Sequence, residues 1–169
     1  MNLFTGEEAD VFFGGEVPPA VRHLVDEARS KPREEAAVAL WTAVLASPQA
    51  LPVYYLLYKL HASQGELAQA LRAAERGLNA AAEVAGLPSD WRQVRPGMAD
   101  FLQPGAARFW LFTLKAQAFI LLRRGEPAQA AERLDQLRLL DPADHMGASV
   151  VAQLLAQHDV GVRPTTSGC

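Results

Sequence analysis

The chain has almost no cysteine. Its single thiol, Cys169, is the last of 169 residues, so no disulfide can form within the chain and a cysteine-rich metal site is excluded. No apolar run approaches the roughly 18–20 residues needed to cross a bilayer, and the acidic start, MNLFTGEEAD, lacks the basic and then apolar pattern of a signal peptide. We therefore expect a protein of the reducing cytoplasm without a membrane-spanning segment.

An excess of basic residues is also missing. The 16 Lys and Arg residues are outnumbered by 19 Asp and Glu, which gives a net charge of -3, whereas nucleic-acid binding needs a strongly basic surface. Nucleic acid is therefore not an expected partner. The charge is unevenly spread, however: residues 1–21 hold four acids and no Lys or Arg, and residues 85–138 hold eight basic residues against five acids.

The signatures of catalysis and of metal binding are absent as well. None of the histidines belongs to an HExxH motif or to a Cys/His cluster; they are His23, His61, His145 and His158. The isolated glycines form no phosphate-binding or dinucleotide-binding loop, and most carboxylates fall on the expected solvent faces of helices. We predict no enzyme activity, no metal site and no cofactor.

Helix-forming residues dominate what the sequence does contain. Ala, Leu, Glu, Gln and Arg lose least on entering a helix, and proline or glycine interrupts them at intervals. Between these breaks the apolar residues recur at spacings of three and four, which is the period of a helix with one buried face. The series in one such segment is Leu111, Leu114, Ala118, Leu121 and Leu122. The sequence predicts an all-α chain of about seven main helices.

Two hexapeptides in the chain are nearly identical. They are GEPAQA at 125–130 and GELAQA at 65–70, and each follows an apolar helix; a weaker copy, KPREEA at 31–36, lies 34 residues before the second. A period of 34 residues is that of the tetratricopeptide repeat (TPR). The chain resembles this family, in which hairpins of two antiparallel helices stack into a solenoid.

The third copy carries the resemblance best. Its matches to the repeat are Leu114, Ala118, Leu121, Gly125, Glu126, Ala130, Leu134, Leu137, Asp141 and Pro142. Three positions depart from the family pattern: Tyr58 replaces a small residue, Gln117 replaces leucine, and Glu27 occupies an aromatic slot. His61 falls where the repeat normally has an aromatic residue, so we expect it to pack rather than to catalyse.

The resemblance implies a short all-α solenoid of about three TPR-like helical hairpins plus a capping helix, with an insertion before the last hairpin. The repeat domain would span residues 17–158 and the insertion about 85–108. An acidic N-terminal arm (residues 1–16) would precede it, and a flexible C-terminal tail (residues 159–169) would follow.

The family's concave face, formed by the first helix of each hairpin, would be the partner-binding groove. In the phase set by the matched residues, its lining would be Val21, Arg22, Val25, Tyr55, Lys59, Phe112, Lys115, Phe119 and Arg123. Aromatic residues backed by cations suit a peptide with apolar anchors and acidic flanks. The alternative is that the aromatics belong to the core and the cations are simply solvated. The asparagine of the carboxylate clamp found in some family members is not matched, so a C-terminal carboxylate ligand is not implied.

The insertion and the N-terminal arm each leave two interpretations open. Apolar residues of the insertion would fold back over an exposed edge as short helical turns, or would bind a partner; they are Trp91, Met98, Phe101 and Leu102. The arm mixes its four acids with Phe4, Val11, Phe12 and Phe13, a composition that complements the groove. The arm would dock on its own groove or a second copy's, or pack as an N-terminal cap.

The function predicted from the sequence is a non-catalytic protein–protein interaction module. Such an adaptor, assembly factor or chaperone would hold a peptide segment of another protein in its concave groove. The alternative is a structural, self-associating module in which the groove or the insertion face mediates homo-oligomerisation, as in a homodimer.

Overall fold

The computed structural model of the chain describes residues 18–162; the predicted arm and residues 163–169 of the predicted tail lie outside this range. Within it the chain forms seven α-helices, one short 3-10 turn (Trp91–Gln93) and no strand. The helices are α1 (Pro19–Ser30), α2 (Arg33–Ala46), α3 (Leu51–Ser63), α4 (Leu67–Ala85), α5 (Ala106–Arg123), α6 (Pro127–Leu140) and α7 (Ala148–Val162). None of these helices is both long enough and apolar enough to span a membrane.

The helices pack in chain order. Each one contacts the next along the chain, and in addition α3 contacts α5 and α5 contacts α7. The odd-numbered helices α3, α5 and α7 therefore lie side by side, as the first helices of stacked hairpins do. The all-α, solenoid-like fold predicted from the sequence is confirmed.

Two hairpin turns share one geometry, and they are the turns of the near-identical hexapeptides. Gly65 and Gly125 adopt φ angles of 77° and 78°, in the left-handed region that disfavours any side chain. The N–H of Glu66 donates to the His61 carbonyl at 2.9 Å, and the N–H of Glu126 makes the corresponding bond at 3.0 Å. These bonds satisfy carbonyls at the end of the first helix, so the sequence repeat is also a structural one.

Small residues allow the helices to approach closely. Ala70, Ala118 and Ala130 are completely buried. Each lies in a helix that packs on both the preceding and the following helix. Of the described glycines, Gly77 on α4 lies in the tightest surroundings: an added Cβ would lie 2.8 Å from the Cβ of Tyr54 on α3. These two helices can lie at their observed separation only because position 77 has no side chain.

The insertion between α4 and α5 covers residues 86–105 and folds back onto the helices. Leu87, Val94 and Phe101 are buried, and the Phe101 ring packs 5.9 Å, centroid to centroid, from that of Trp110 on α5. The expectation that the insertion's apolar residues cover an exposed edge is confirmed for Phe101. It is wrong for Met98 and Leu102, which stay exposed.

Helix α6 holds the insertion in place. The buried Gln136 amide donates to the carbonyl oxygens of Val94 (2.6 Å) and Trp91 (3.1 Å). The half-buried Trp91 ring has two guanidinium neighbours, Arg92 at 4.4 Å and Arg133 at 5.0 Å from its centroid. The insertion is thus fixed by specific polar contacts to a helix about 40 residues further along the chain.

The C-terminal helix is longer than predicted. Helix α7 continues to Val162, so residues 159–162 are helical and the predicted boundary of a flexible tail at 159 is wrong. Asp144 lies in the loop before this helix and caps its first turn, because its carboxylate accepts hydrogen bonds from the N–H (3.2 Å) and the hydroxyl (2.5 Å) of Ser149.

Candidate partner-binding groove

An open cavity of about 440 Å³ lies between α3, α5 and α7. Its lining is mostly apolar and aromatic and contains no carboxylate; it consists of Tyr55, Tyr58, Lys59, Ala62, Ser63, Phe112, Lys115, Ala116, Phe119, Ile120, Arg123 and Val151. We call this cavity the groove. Six of the nine residues predicted to bind a partner are brought together here.

The aromatic side chains of the groove come from two neighbouring helices. Tyr55 of α3 lies 5.8 Å from Phe112 of α5, with the rings tilted by 54°, and its edge meets Tyr58 at 5.6 Å. These spacings are those of favourable aromatic pairs. Phe119, two turns beyond Phe112, is exposed at the rim of the groove.

Each of the three predicted aromatic residues has a cation over its ring. Lys59 Nζ lies 4.6 Å from the Tyr55 ring centroid, and Lys115 Nζ lies 4.6 Å from that of Phe112. The guanidinium of Arg123 lies 5.8 Å from the Phe119 ring. In every pair the cation follows its aromatic by three or four residues, so helix geometry alone places the two together.

The groove cations donate hydrogen bonds to uncharged acceptors. Lys59 Nζ donates to the Tyr55 hydroxyl (2.7 Å), Lys115 Nζ to the Met146 carbonyl (2.6 Å), and Arg123 to the Ala62 carbonyl (3.2 Å). None of the three cations forms an ion pair with a carboxylate of residues 18–162. The groove therefore combines an apolar lining with positive charge that no neighbouring acid neutralises at contact distance.

Burial affects the charge of one of these groups. It lowers the pKa of the half-buried Lys115 ammonium, and attraction by the Asp144 carboxylate partly opposes that shift. Asp144 is itself held by Ser149, and its pKa is lowered chiefly by the hydrogen bond from that hydroxyl. The lysine thus links the groove to the loop that precedes α7, since it also binds the Met146 carbonyl.

Three predicted groove residues lie elsewhere, all on α1. Val21 and Val25 are buried in the core, in one stripe with Ala28, which corrects the prediction that they line the groove. Arg22 is exposed but does not line it. The buried face of α1 is therefore rotated from the predicted one: Val21 and Val25 point into the core, and Leu24 is only half-buried.

Part of the lining was not predicted from the sequence, above all Tyr58. This residue is buried against the groove although the family pattern has a small residue there. Burial raises the pKa of its hydroxyl, which has no hydrogen-bond partner of good geometry among residues 18–162. The departure of Tyr58 from the repeat pattern was the available signal, since a bulky residue at a small-residue position changes the local surface.

The buried histidine of α3 has a structural environment. His61 Nδ1 lies 2.6 Å from a Glu66 carboxylate oxygen, and the indole N–H of Trp41 donates to His61 Nε2 at 3.3 Å. Both ring nitrogens are occupied by contacts that tie the hairpin turn to α2, so the prediction that His61 packs is confirmed. Among residues 18–162, no three His, Cys, Asp or Glu side chains converge so that they could hold a metal ion.

Comparison with known proteins adds one relative. The chain is 26% identical over 165 residues to an uncharacterized 19.8 kDa protein in the nifW 5′ region of Azotobacter chroococcum mcd 1, which covers 96% of this chain and 93% of the relative. No protein-family model matches the chain, and no solved structure matches it significantly. The resemblance to TPR proteins therefore stays a prediction from the repeat residues.

Proposed function

We propose that the chain is a non-catalytic protein–protein interaction module that holds a peptide segment of a partner in the groove. The observation that carries this proposal is the pairing of every predicted groove aromatic with a cation, in a cavity whose lining has no carboxylate. The segment would have apolar anchors flanked by Asp or Glu. Such a module would act as an adaptor, assembly factor or chaperone in the cytoplasm.

Physical considerations support a peptide of this chemistry. A cavity of about 440 Å³ is within the roughly 300–1,000 Å³ of sites that take small molecules or large side chains. Apolar anchors of the peptide would replace water on the aromatic walls, and its acids would gain charge-assisted hydrogen bonds. Because Tyr55 and Phe112 project from helices packed on a buried core, the protein would lose little conformational entropy on binding.

A library of random peptides displayed on phage tests this function directly. We expect selection on the full chain to enrich peptides with an aromatic or large aliphatic residue beside Asp or Glu. The groove variant Phe119→Ala/Arg123→Glu should bind an enriched peptide at least tenfold more weakly, because it removes one anchor contact and reverses one charge. Both substituted positions are exposed, so the helicity should not change.

A matched variant on the opposite side of the molecule provides the control. Arg72→Glu with Leu139→Ala makes the same kinds of change at exposed positions of α4 and α6, and it should bind the peptide like the wild type. Enrichment of basic peptides, or equal loss of binding in both variants, would refute the assignment of the groove.

The alternative function is self-association, and one observation favours it. Met98 and Leu102 of the insertion expose 50% and 39% of their surface although they are large apolar residues. Light scattering separates the two proposals. A tight dimer in the wild type that becomes a monomer in Met98→Ser/Leu102→Ser would favour self-association. Candidate partners can also be sought by gene position, because the relative is described by its place in the nifW 5′ region. Products of genes adjacent to this one are practical first baits.

A further inference from the structure

We propose that the N-terminal arm (residues 1–16) is an intramolecular ligand of the groove, which a partner segment must displace. This inference rests on the proposed function, since it concerns the same groove, and it adds a regulatory contact and a template for the partner's sequence. It is supported by charge, by composition, by reach, and by comparison with a second cavity.

The charges of arm and groove are opposite. The arm holds Glu7, Glu8, Asp10 and Glu16 without a single Lys or Arg. Among residues 18–162, the lining of the groove presents three cations and no carboxylate. Each side therefore supplies the charge that the other lacks.

The arm also contains the apolar groups that such a groove would hold. In the segment DVFFGGE, residues 10–16, Phe12 follows Asp10 by two residues and Phe13 precedes Glu16 by three. In the groove, each of the three predicted aromatics has a cation three or four residues away. An aromatic pair flanked by carboxylates thus complements both the apolar character and the positive charge of this surface. The same motif is expected in a partner segment.

The arm is long enough to reach the groove of its own chain. It ends two residues before Pro19, where α1 begins; α1 packs on α2, and α2 packs on α3, the first wall of the groove. Packed helices lie about 8–10 Å apart, so the groove is roughly 20–30 Å from the start of α1. Phe12 and Phe13 stand seven and six residues before Pro19, a length that extends to roughly 20–25 Å, so they can reach the near side of the groove without a second copy.

A second cavity of the molecule is a poorer match for the arm. It has about 280 Å³, lies between α2 and α4, and is lined by Leu45, Tyr54 and Arg76 among others. Its lining includes the carboxylate of Glu83 beside that single cation. The charge of the arm therefore favours the groove over the α2–α4 cavity.

Tethering would make even weak docking effective. A short flexible tether gives an effective concentration on the order of 1 mM. An arm segment with a Kd of about 100 μM as a free peptide would then occupy its groove about nine-tenths of the time. The affinity of a competing partner segment would fall about tenfold, because only the undocked fraction can bind.

Paired cysteines in the full chain test where the arm docks. In a Cys169→Ser background, Val11→Cys is combined with Ser63→Cys in the groove or, as the control, with Leu45→Cys in the α2–α4 cavity. We expect an intramolecular disulfide to form at least tenfold faster in the Ser63 pair, and adding Lys59→Glu/Arg123→Glu should reduce its rate to that of the control. Equal rates, a faster Leu45 pair, or mainly cross-linked dimers would overturn docking in cis on the groove.

A peptide experiment separates failure of this inference from failure of the proposed function. The probe is a fluorescein-labelled synthetic peptide of residues 1–16, and fluorescence anisotropy measures its affinity. We expect the arm variant Phe12→Ser/Phe13→Ser to bind the probe about tenfold more tightly than the wild type, and to lose that binding when Arg123→Glu is added. If the probe binds neither protein while a library-selected peptide still requires Phe119 and Arg123, the arm inference is wrong and the proposed function stands.

Discussion

Replacing Gly77 with alanine should destabilise the protein, although alanine is the better helix former. Position 77 lies inside α4 and faces α3; a new Cβ would lie 2.8 Å from the Tyr54 Cβ and 3.2 Å from its Cγ. Removing a mid-helix glycine is worth about 1 kcal/mol in helix propensity. Inserting a methyl group into a tightly packed crossing costs about 1–3 kcal/mol.

The steric contribution should win, because the atom in the way is a Cβ attached directly to the α3 backbone. Unlike the end of a flexible side chain, it can move only if the two helices separate. We expect a net loss of about 1 kcal/mol in the free energy of unfolding, which corresponds to a melting temperature lower by about 2–4 °C for a chain of this size.

Urea denaturation followed by circular dichroism would measure this loss. Gly161→Ala is the matched control, since Gly161 is also helical but has no neighbouring atom within 4 Å of an added Cβ. This control should leave the free energy of unfolding unchanged or raise it by about a few tenths of a kcal/mol, because alanine has the higher helix propensity and the position is near a helix end. A Gly77→Ala protein as stable as Gly161→Ala would refute the close packing of α3 on α4.

Three further predictions concern the insertion, the loop before α7 and the groove. Gln136→Ala should cost about 1–3 kcal/mol by leaving buried carbonyls such as that of Val94 without a donor, and hydrogen exchange should show the largest loss of protection within residues 86–105. Desolvation of the Asp141 carboxyl tends to raise its pKa, but hydrogen bonds from the following loop lower this pKa overall. The ionised carboxylate should therefore stabilise the fold fully above a pH of about 4, and this stabilisation should be lost as the pH falls through the lowered pKa of the folded state. The stability difference between wild type and Asp141→Asn in urea titrations should accordingly shrink at acidic pH, and a constant difference would contradict this. Arg123→Met should weaken binding of an acidic peptide and reduce the dependence of its Kd on salt, since it keeps an apolar stem without the charge.

The third hairpin was the part of the fold most open to prediction from the sequence. Gly125 fixes where α5 ends, and counting back from it in helical turns places Phe112, Lys115 and Phe119 on one face. The structure puts all three in the groove. A glycine turn next to a strongly periodic helix determines both the end of the helix and its rotation.

The first hairpin lacks such a marker, and its groove residues were predicted wrongly. Lys31 and Pro32 replace the glycine turn, and α1 has apolar residues at 21, 24 and 25, so a small rotation exchanges its inner and outer faces. Contacts between distant segments were also inaccessible. The bond from Lys115 to the Met146 carbonyl joins residues 31 positions apart, and no local pattern in the sequence indicates it.

The most direct test of the central claim is methyl NMR of the groove while an acidic, aromatic peptide is titrated in. Ala62, Ala116, Ile120 and Val151 provide methyl groups in the groove lining, and the exposed Leu139 and Val38 provide them outside it. If the groove holds such peptides, the four lining residues should show the largest chemical-shift changes, and these should disappear in Phe119→Ala/Arg123→Glu. Shift changes confined to Leu139 and Val38, or no change at saturating peptide, would contradict the assignment of this groove as the binding site.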